Sequence, residues 1–226
     1  YSKLSARAAN NNPLRVAIIG AGKFASMYLA QVHKTPGVHV AAIADLNPEN
    51  VFSNLNRVGW SRAQYEAASV DDAIRTGGTW VTEDWGKVIA DPRIDIVIEA
   101  TGNPPAAVEH ILRSFEQGKH VVNVTVEADA LCGPYLARYA QENNVIYSLA
   151  YGDQPALICD LVDWARASGF RVVSAGRGHK WLPHFAQSTP ETVWGYYGLS
   201  PDKAERGGLN PKMFNSFLDG SKPAIE

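Results

Sequence analysis

The 226-residue sequence predicts an α/β fold: a doubly wound parallel sheet over residues 1–150, followed over 151–226 by the first part of an incomplete α+β domain. Three observations carry this. Short apolar runs alternate with helix-like stretches at βαβ spacing, which implies parallel strands joined by right-handed crossovers. The runs are apolar on both faces, as in Val16-Ala17-Ile18-Ile19, so helices must cover both sides of the sheet. The first run opens directly into Gly20-Ala21-Gly22-Lys23-Phe24-Ala25, a strand, a tight turn and the start of a helix.

Residues 1–13 read as a leader able to form a short helix, broken from the first strand (14–19) by Asn10-Asn11-Asn12-Pro13. A helix over 23–34 follows, with Phe24, Met27, Tyr28 and Val32 near one face and Thr35-Pro36-Gly37 as its stop. The second strand, 38–44, ends at Asp45. Asn47-Pro48-Glu49 gives an N-cap, an N1 proline and an acidic first turn for a helix to about Val58. Ser69-Val70-Asp71-Asp72 has capping-box spacing, with Asp where Glu is usual, and predicts a short helix to Arg75. Residues 79–82 predict a short strand, 84–90 a short helix, and 94–100 the fourth strand. A helix over 104–117 should place Ala107, Ile111, Leu112 and Phe115 inward and end at Gly118. Strand 120–124, helix 129–143 and strand 145–149 complete the sheet. The pattern changes near Tyr151-Gly152-Asp153-Gln154-Pro155; helix 155–167 and strand 170–175 are expected next, then a long irregular stretch rich in glycine, proline and aromatics.

The composition narrows the function classes. Apolar residues make up 46%, enough for a sizeable core, and a net charge of −2 gives no basic surface for nucleic acid or anionic lipid. No apolar run approaches the ~20 residues needed to cross a bilayer, and no signal-peptide core is visible, so a soluble cytoplasmic setting is expected, with no nucleic-acid or membrane partner. Cys132 and Cys159 show no metal or disulfide spacing and are expected to be core thiols.

The G-x-G-x-x-A turn gives each small residue a task. Gly20 permits the tight turn, Gly22 lets a pyrophosphate approach the backbone, and Ala25 allows close helix–strand packing, while the helix N-terminus attracts the phosphates. Lys23 and Phe24 start that helix beside the same ligand. Asp45 falls about 20 residues on, where an acid accepts the ribose 2′-OH of NAD and repels a 2′-phosphate. Arg57 and Arg62 are the nearby cations able to meet such a phosphate. At the same sheet edge, Thr101, Gly102 and Asn103 can approach and hydrogen-bond a ribose or carboxamide, and Thr125 and Glu127 reach it from the next strand; Glu127 alternatively caps the following helix. Asp153 sits where a strand passes into a helix and reads either as an N-cap or as a substrate or metal contact. Asp160 and Asp163 follow on that helix, at a spacing not diagnostic of a metal. Arg177-Gly178-His179-Lys180 places cations among glycines, so Lys180 can protonate a developing alkoxide and Arg177 can hold an anionic group. Lys222 and Glu226 are further catalytic candidates near the end, and His33, His39 and His110 read as structural.

Taken together, Gly20-Ala21-Gly22-Lys23-Phe24, Ile98-Glu99-Ala100-Thr101-Gly102-Asn103-Pro104, Val122-Asn123-Val124-Thr125-Val126-Glu127-Ala128-Asp129 and Tyr151-Gly152-Asp153-Gln154-Pro155-Ala156 resemble the homoserine-dehydrogenase-like oxidoreductases, a family whose members often carry a C-terminal SAF domain. Some of them resemble a second type of 1-deoxy-D-xylulose 5-phosphate reductoisomerase (DXR-like). The resemblance implies an N-terminal Rossmann domain, a catalytic domain after it, and NADPH-linked chemistry on a small polyol or sugar phosphate. In the reductoisomerases, a route to isoprenoids, it further implies a divalent metal, Mg or Mn. Of the reductoisomerases' metal-binding Asp-Ser-Glu pattern only Asp153 carries over, since Gln154 and Pro155 follow it. Asp45 favours NAD while the resemblance favours NADP, so the cofactor expectation is NAD or NADP. Two further expectations are assembly as a homo-oligomer and a chain that is a fragment of a longer protein.

Overall fold

The structure is a computed structural model that describes all residues except Asp153, Arg177, His179 and 222–226, together with the side chain of Pro155. It divides into two compact units, Tyr1–Ala150 and Tyr151–Glu226.

The first unit holds a six-stranded, all-parallel sheet. Its strands are β1 (Leu14–Ile19), β2 (Val38–Ala44), β3 (Trp80–Thr82), β4 (Ile96–Glu99), β5 (His120–Asn123) and β6 (Tyr147–Leu149), in the order β3-β2-β1-β4-β5-β6. Strand order reverses between β1 and β4, which opens a crevice at their carboxyl ends. The helices are α1 (Ser2–Ala9), α2 (Lys23–Val32), α3 (Pro48–Arg57), α4 (Val70–Thr76), α5 (Trp85–Ala90), α6 (Pro104–Glu116) and α7 (Val126–Glu142).

The two-sided strands predicted from sequence are explained by two cores. Val16 and Ile18 of β1 pack with Ala25, Leu29, Val51 and Leu55 on one face. Ala17 and Ile19, alternating with them, pack with Val88, Ile111, Phe115 and Leu136 on the other. The cap residues act as their chemistry dictates: Asn47, Ser69, Asp84 and Asn103 each accept a backbone N–H at the start of a helix. Asp72, however, does not close a capping box on Ser69; its carboxylate takes the N–H of Ala68.

Several sequence expectations are corrected. In α2 the buried residues are Ala25, Ser26, Leu29 and Val32, while Phe24 and Met27 are exposed, so the inward face is turned from the one the large apolar residues mark. Helix α7 starts three residues earlier than its pattern suggested and breaks its helical angles at Cys132, two residues before Pro134, whose ring obstructs the preceding turn.

The second unit contains α8 (Gln154–Ala167), a 3-10 turn at Pro183–Gln187, α9 (Val193–Tyr196), α10 (Pro201–Arg206) and α11 (Pro211–Leu218). A small core of Val193, Trp194, Ala204 and Leu218 joins the last three helices. No strand forms at 170–175: Val172 and Val173 have the residue types, but among the described residues no neighbouring strand supplies ladder bonds, and residues 171–176 lack regular structure. Cys159 is exposed on α8 rather than buried, and Cys132 is half-buried.

Candidate functional site

The first unit carries a cleft of about 460 Å³ at the carboxyl ends of β1, β2 and β4. Its walls include Gly20, Gly22, Asp45, Thr101 and Asn103, so five residues separated in sequence by up to 83 positions meet where the switch point places them. Lys23 and Phe24 are the first two residues of α2, beside this cleft's glycine turn, and Phe24 is solvent-exposed.

The two glycines of the turn differ in what requires them. Gly20 has φ +91°, and a Cβ there would lie 2.7 Å from the carbonyl carbon of Ala100 and from the N and Cα of Thr101. The loop after β4 therefore crosses directly over Gly20. Gly22 has an ordinary φ of −73°, and a Cβ there would meet no protein atom within 4 Å. Neither backbone angle nor packing calls for glycine at 22, and the open space there leaves the first N–H groups of α2 accessible to an anion.

The turn is braced from three directions. The Ala21 N–H donates to Asp45 Oδ2 at 2.7 Å, and the Asn47 N–H to Asp45 Oδ1 at 2.9 Å. Asn54 of α3 donates through Nδ2 to the Ala21 carbonyl at 2.8 Å. Arg57 donates to Asn54 Oδ1 at 2.9 Å and to Ser26 Oγ at 3.4 Å, and Ser26 in turn donates to the Gly22 carbonyl. Asp45 thus holds the glycine turn as well as lining the cleft; its carboxylate oxygens keep lone pairs for a hydroxyl. Arg62 is paired with Glu66 on the surface.

Behind the cleft lies a fully buried carboxylate that residue types alone did not single out. Glu99, at the end of β4, is 0% exposed. It accepts from the Thr101 N–H at 3.3 Å and the Thr101 hydroxyl at 2.5 Å, and from the Thr125 hydroxyl. His110 Nδ1 lies 3.4 Å from the same carboxylate. The Thr125 hydroxyl also accepts the Gly102 N–H at 3.0 Å. A buried charge persists only when its oxygens are bonded, and Glu99 is satisfied by four groups from three segments.

This network reassigns several residues. Thr125, buried and committed to Glu99 and Gly102, braces the 101–103 loop and does not line the cleft. The Thr101 hydroxyl is likewise turned inward, donating to Glu99 and accepting from the Asn103 N–H. Asn103 Oδ1 caps α6 by accepting from Ala106. Gly102, at φ +67°, is exposed between them. Glu127 lies in the first turn of α7. Further along, Asn123 bonds the Tyr147 hydroxyl, which donates to Asp129 at 2.9 Å; burial, then the Asp129 charge, push the Tyr147 phenol well above its ordinary range.

Trp85, Glu83, Leu46, Ala106, Glu109 and His110 complete the cleft. An acid at the end of an apolar strand was the available signal for Glu99.

Of the second-unit candidates, Lys180 is exposed in an irregular segment, while Asp153, Arg177, Lys222 and Glu226 lie outside the described residues. Asp160 and Asp163 are exposed on α8. Among the described residues no group of three or more His, Cys, Asp or Glu could hold a metal ion, and no helix is long and apolar enough to cross a membrane.

Residues 14–123 match the family described as "Oxidoreductase family, NAD-binding Rossmann fold". The fold of these residues is that of a Rossmann domain. A glycine turn, a switch-point cleft and an acid at the end of the second strand are the features by which such domains hold NAD(P). Residues 152–226, downstream of the Rossmann domain, match "Oxidoreductase DRL, catalytic domain". A homoserine dehydrogenase of Pseudomonas aeruginosa is 31% identical over 134 residues, 59% of this chain and 28% of that protein. One of Methylobacillus glycogenes is 28% identical over 111 residues, 49% of this chain and 24% of that protein. The chain spans less than a third of the length of these relatives. Among solved structures, the homoserine dehydrogenase of Thiobacillus denitrificans shares the fold, with a TM-score of 0.53 and 20% identity over 69% of this chain and 34% of that one.

Proposed function

We propose that the whole protein is an NAD(P)-dependent oxidoreductase that moves a hydride between the cofactor and a carbonyl or hydroxyl carbon of a small, phosphorylated polyol or sugar. The observation that carries the cofactor half is Gly22, a glycine that the fold does not need, at the mouth of a cleft whose acid and helix N-terminus suit a dinucleotide. The bound nicotinamide supplies or accepts the hydride. The residues of this chain do the rest. The first N–H groups of α2 hold the diphosphate, Asp45 accepts a ribose hydroxyl, and the 101–103 loop, anchored on Glu99, shapes the cleft wall.

Lys180 is proposed to give its proton to the substrate oxygen as carbonyl becomes alkoxide, with Arg177 and Lys222 neutralising a phosphate, Asp153 contacting substrate and Glu226 completing the set. The described residues offer no donor set for Mg or Mn, so no step is routed through a metal. Asp45 supports NAD over NADP, since it would face a 2′-phosphate, and the nearest arginines are engaged elsewhere by Asn54 and Glu66. A 1-deoxy-D-xylulose 5-phosphate reductoisomerase-like reaction is the fuller form of this reading. Its rival is a homoserine-dehydrogenase-like oxidation without isomerisation, favoured by the two homoserine dehydrogenases among the relatives. Assembly as a homo-oligomer is part of the proposal.

Titration with NADH and NADPH tests the cofactor, and tighter NADPH binding overturns the role given to Asp45. Turnover on sugar phosphates, polyol phosphates and homoserine separates the two reactions. Lys180→Ala should lower kcat by about 10²–10⁴-fold, the range for a general acid, while leaving the NADH Kd within twofold; unchanged turnover removes Lys180 from the mechanism.

A further inference from the structure

The cleft has a polar fixture that diphosphate and ribose binding do not use. His110 of α6 is only 6% exposed, yet it lines the cleft. Its Nδ1 lies 3.4 Å from the Glu99 carboxylate, which accepts, so in the neutral ring this contact selects the tautomer with the proton on Nδ1. Nε2 is left as an acceptor. Among the described residues it has no hydrogen-bond partner, and His110 lines the cleft. The ring is fixed in place: Trp85 meets it edge-on at 4.6 Å between centroids.

The surroundings select the chemistry of what meets this nitrogen. Leu46, Trp85 and Ala106 offer apolar surface for a flat ring, while Glu83 and Glu109 repel a phosphate from this end. Leu46 directly follows Asp45. A ribose on Asp45, with its diphosphate at the N-terminus of α2, therefore directs its base toward Leu46, Trp85 and His110. The diphosphate then leads the other nucleotide away from this end.

We propose that His110, oriented by Glu99, reads the base at the adenosine end of the dinucleotide by accepting a hydrogen bond from its exocyclic amine. This rests on the cofactor reading above. His110 is then a specificity residue, and Glu99 positions it through Nδ1 while anchoring the 101–103 loop.

The test compares NADH with its hypoxanthine analogue, in which an oxo group replaces the amine, by calorimetric titration of the full chain. The parent should bind NADH about five- to tenfold more tightly, the worth of one hydrogen bond of this kind. His110→Phe, which keeps a ring against Trp85 but has no acceptor, should bring the two affinities within about twofold. His110→Ala provides the same comparison should the larger ring disturb packing. AMP binding should weaken in both variants, and nicotinamide mononucleotide binding should not. A parent that binds both dinucleotides equally, or variants that keep the parent's ratio, overturn the assignment while leaving the cofactor reading in place. A parent that binds neither dinucleotide overturns both.

Discussion

Alanine at Gly20 and alanine at Gly22 should fail in opposite ways, although the residues are two apart in one turn. At Gly20 the backbone sits at φ +91°, and a Cβ would come within 2.7 Å of three backbone atoms of Ala100 and Thr101. The left-handed conformation costs an L-residue roughly 1–2 kcal/mol. Forcing a methyl against backbone that cannot rotate away adds about 1–3 kcal/mol. The sum, about 2–5 kcal/mol, corresponds to a fall in thermal midpoint of about 4–20 °C for a protein of this size. At Gly22 the backbone angle is ordinary and the added methyl meets no protein atom within 4 Å. The folding cost there is only that of alanine replacing glycine at an N-cap, about 1 kcal/mol or less. The methyl does, however, occupy the approach of a phosphate to the α2 N–H groups. Gly22→Ala should therefore melt within about 3 °C of the parent and bind NADH more than tenfold more weakly. Circular-dichroism melting and fluorescence titration read the two effects separately. Equal midpoints for the two variants, or parent-like NADH affinity in Gly22→Ala, would refute the division of labour between these glycines.

Thr125→Val keeps side-chain volume but removes a donor to Glu99 and the acceptor for the Gly102 N–H, and should cost about 1–3 kcal/mol in urea unfolding. Leu29→Ala opens a cavity where α2 meets the sheet and should cost about 2–5 kcal/mol in the same assay; a loss below 1 kcal/mol would contradict its burial. Stability should fall in acid. Hydrogen bonds from the Arg93 side chain hold the Asp91 carboxyl below its ordinary value, so its contribution is present above the unfolded-state value of about 4 and is lost as pH drops through the folded value. Asp91→Asn should therefore show a smaller stability difference between pH 7 and pH 3 than the parent, and an identical difference would exclude Asp91 as a source.

How much was legible in advance depends on how local the cause is. The strands of the first unit, the glycine turn and the caps at Asn47 and Ser69 were readable because each follows from a side chain acting on its own backbone or from a run of apolar residues. Phe24 and Met27 misled because the face of α2 turned inward is set by the core it joins, where Ala25 and Leu29 pack with Val51 and Leu55, and not by the largest apolar residues of the helix. The strand expected at 170–175 failed for a related reason: valines favour extended backbone, but a strand exists only with a partner to share its ladder.

The sequence by itself determined the class of fold, the position of the dinucleotide turn and the acid at the end of β2. Periodicity, turn chemistry and capping act within a few residues and leave their mark on the order of residue types. Only the tertiary structure decided what the polar groups at the sheet edge do. It turned the hydroxyls of Thr101 and Thr125 inward to a buried Glu99, made Asp45 a brace for the Ala21 N–H, and set His110 from α6 against the cleft. A carboxylate taken from water must collect its donors wherever the fold brings them, and those donors come from segments up to 26 residues away.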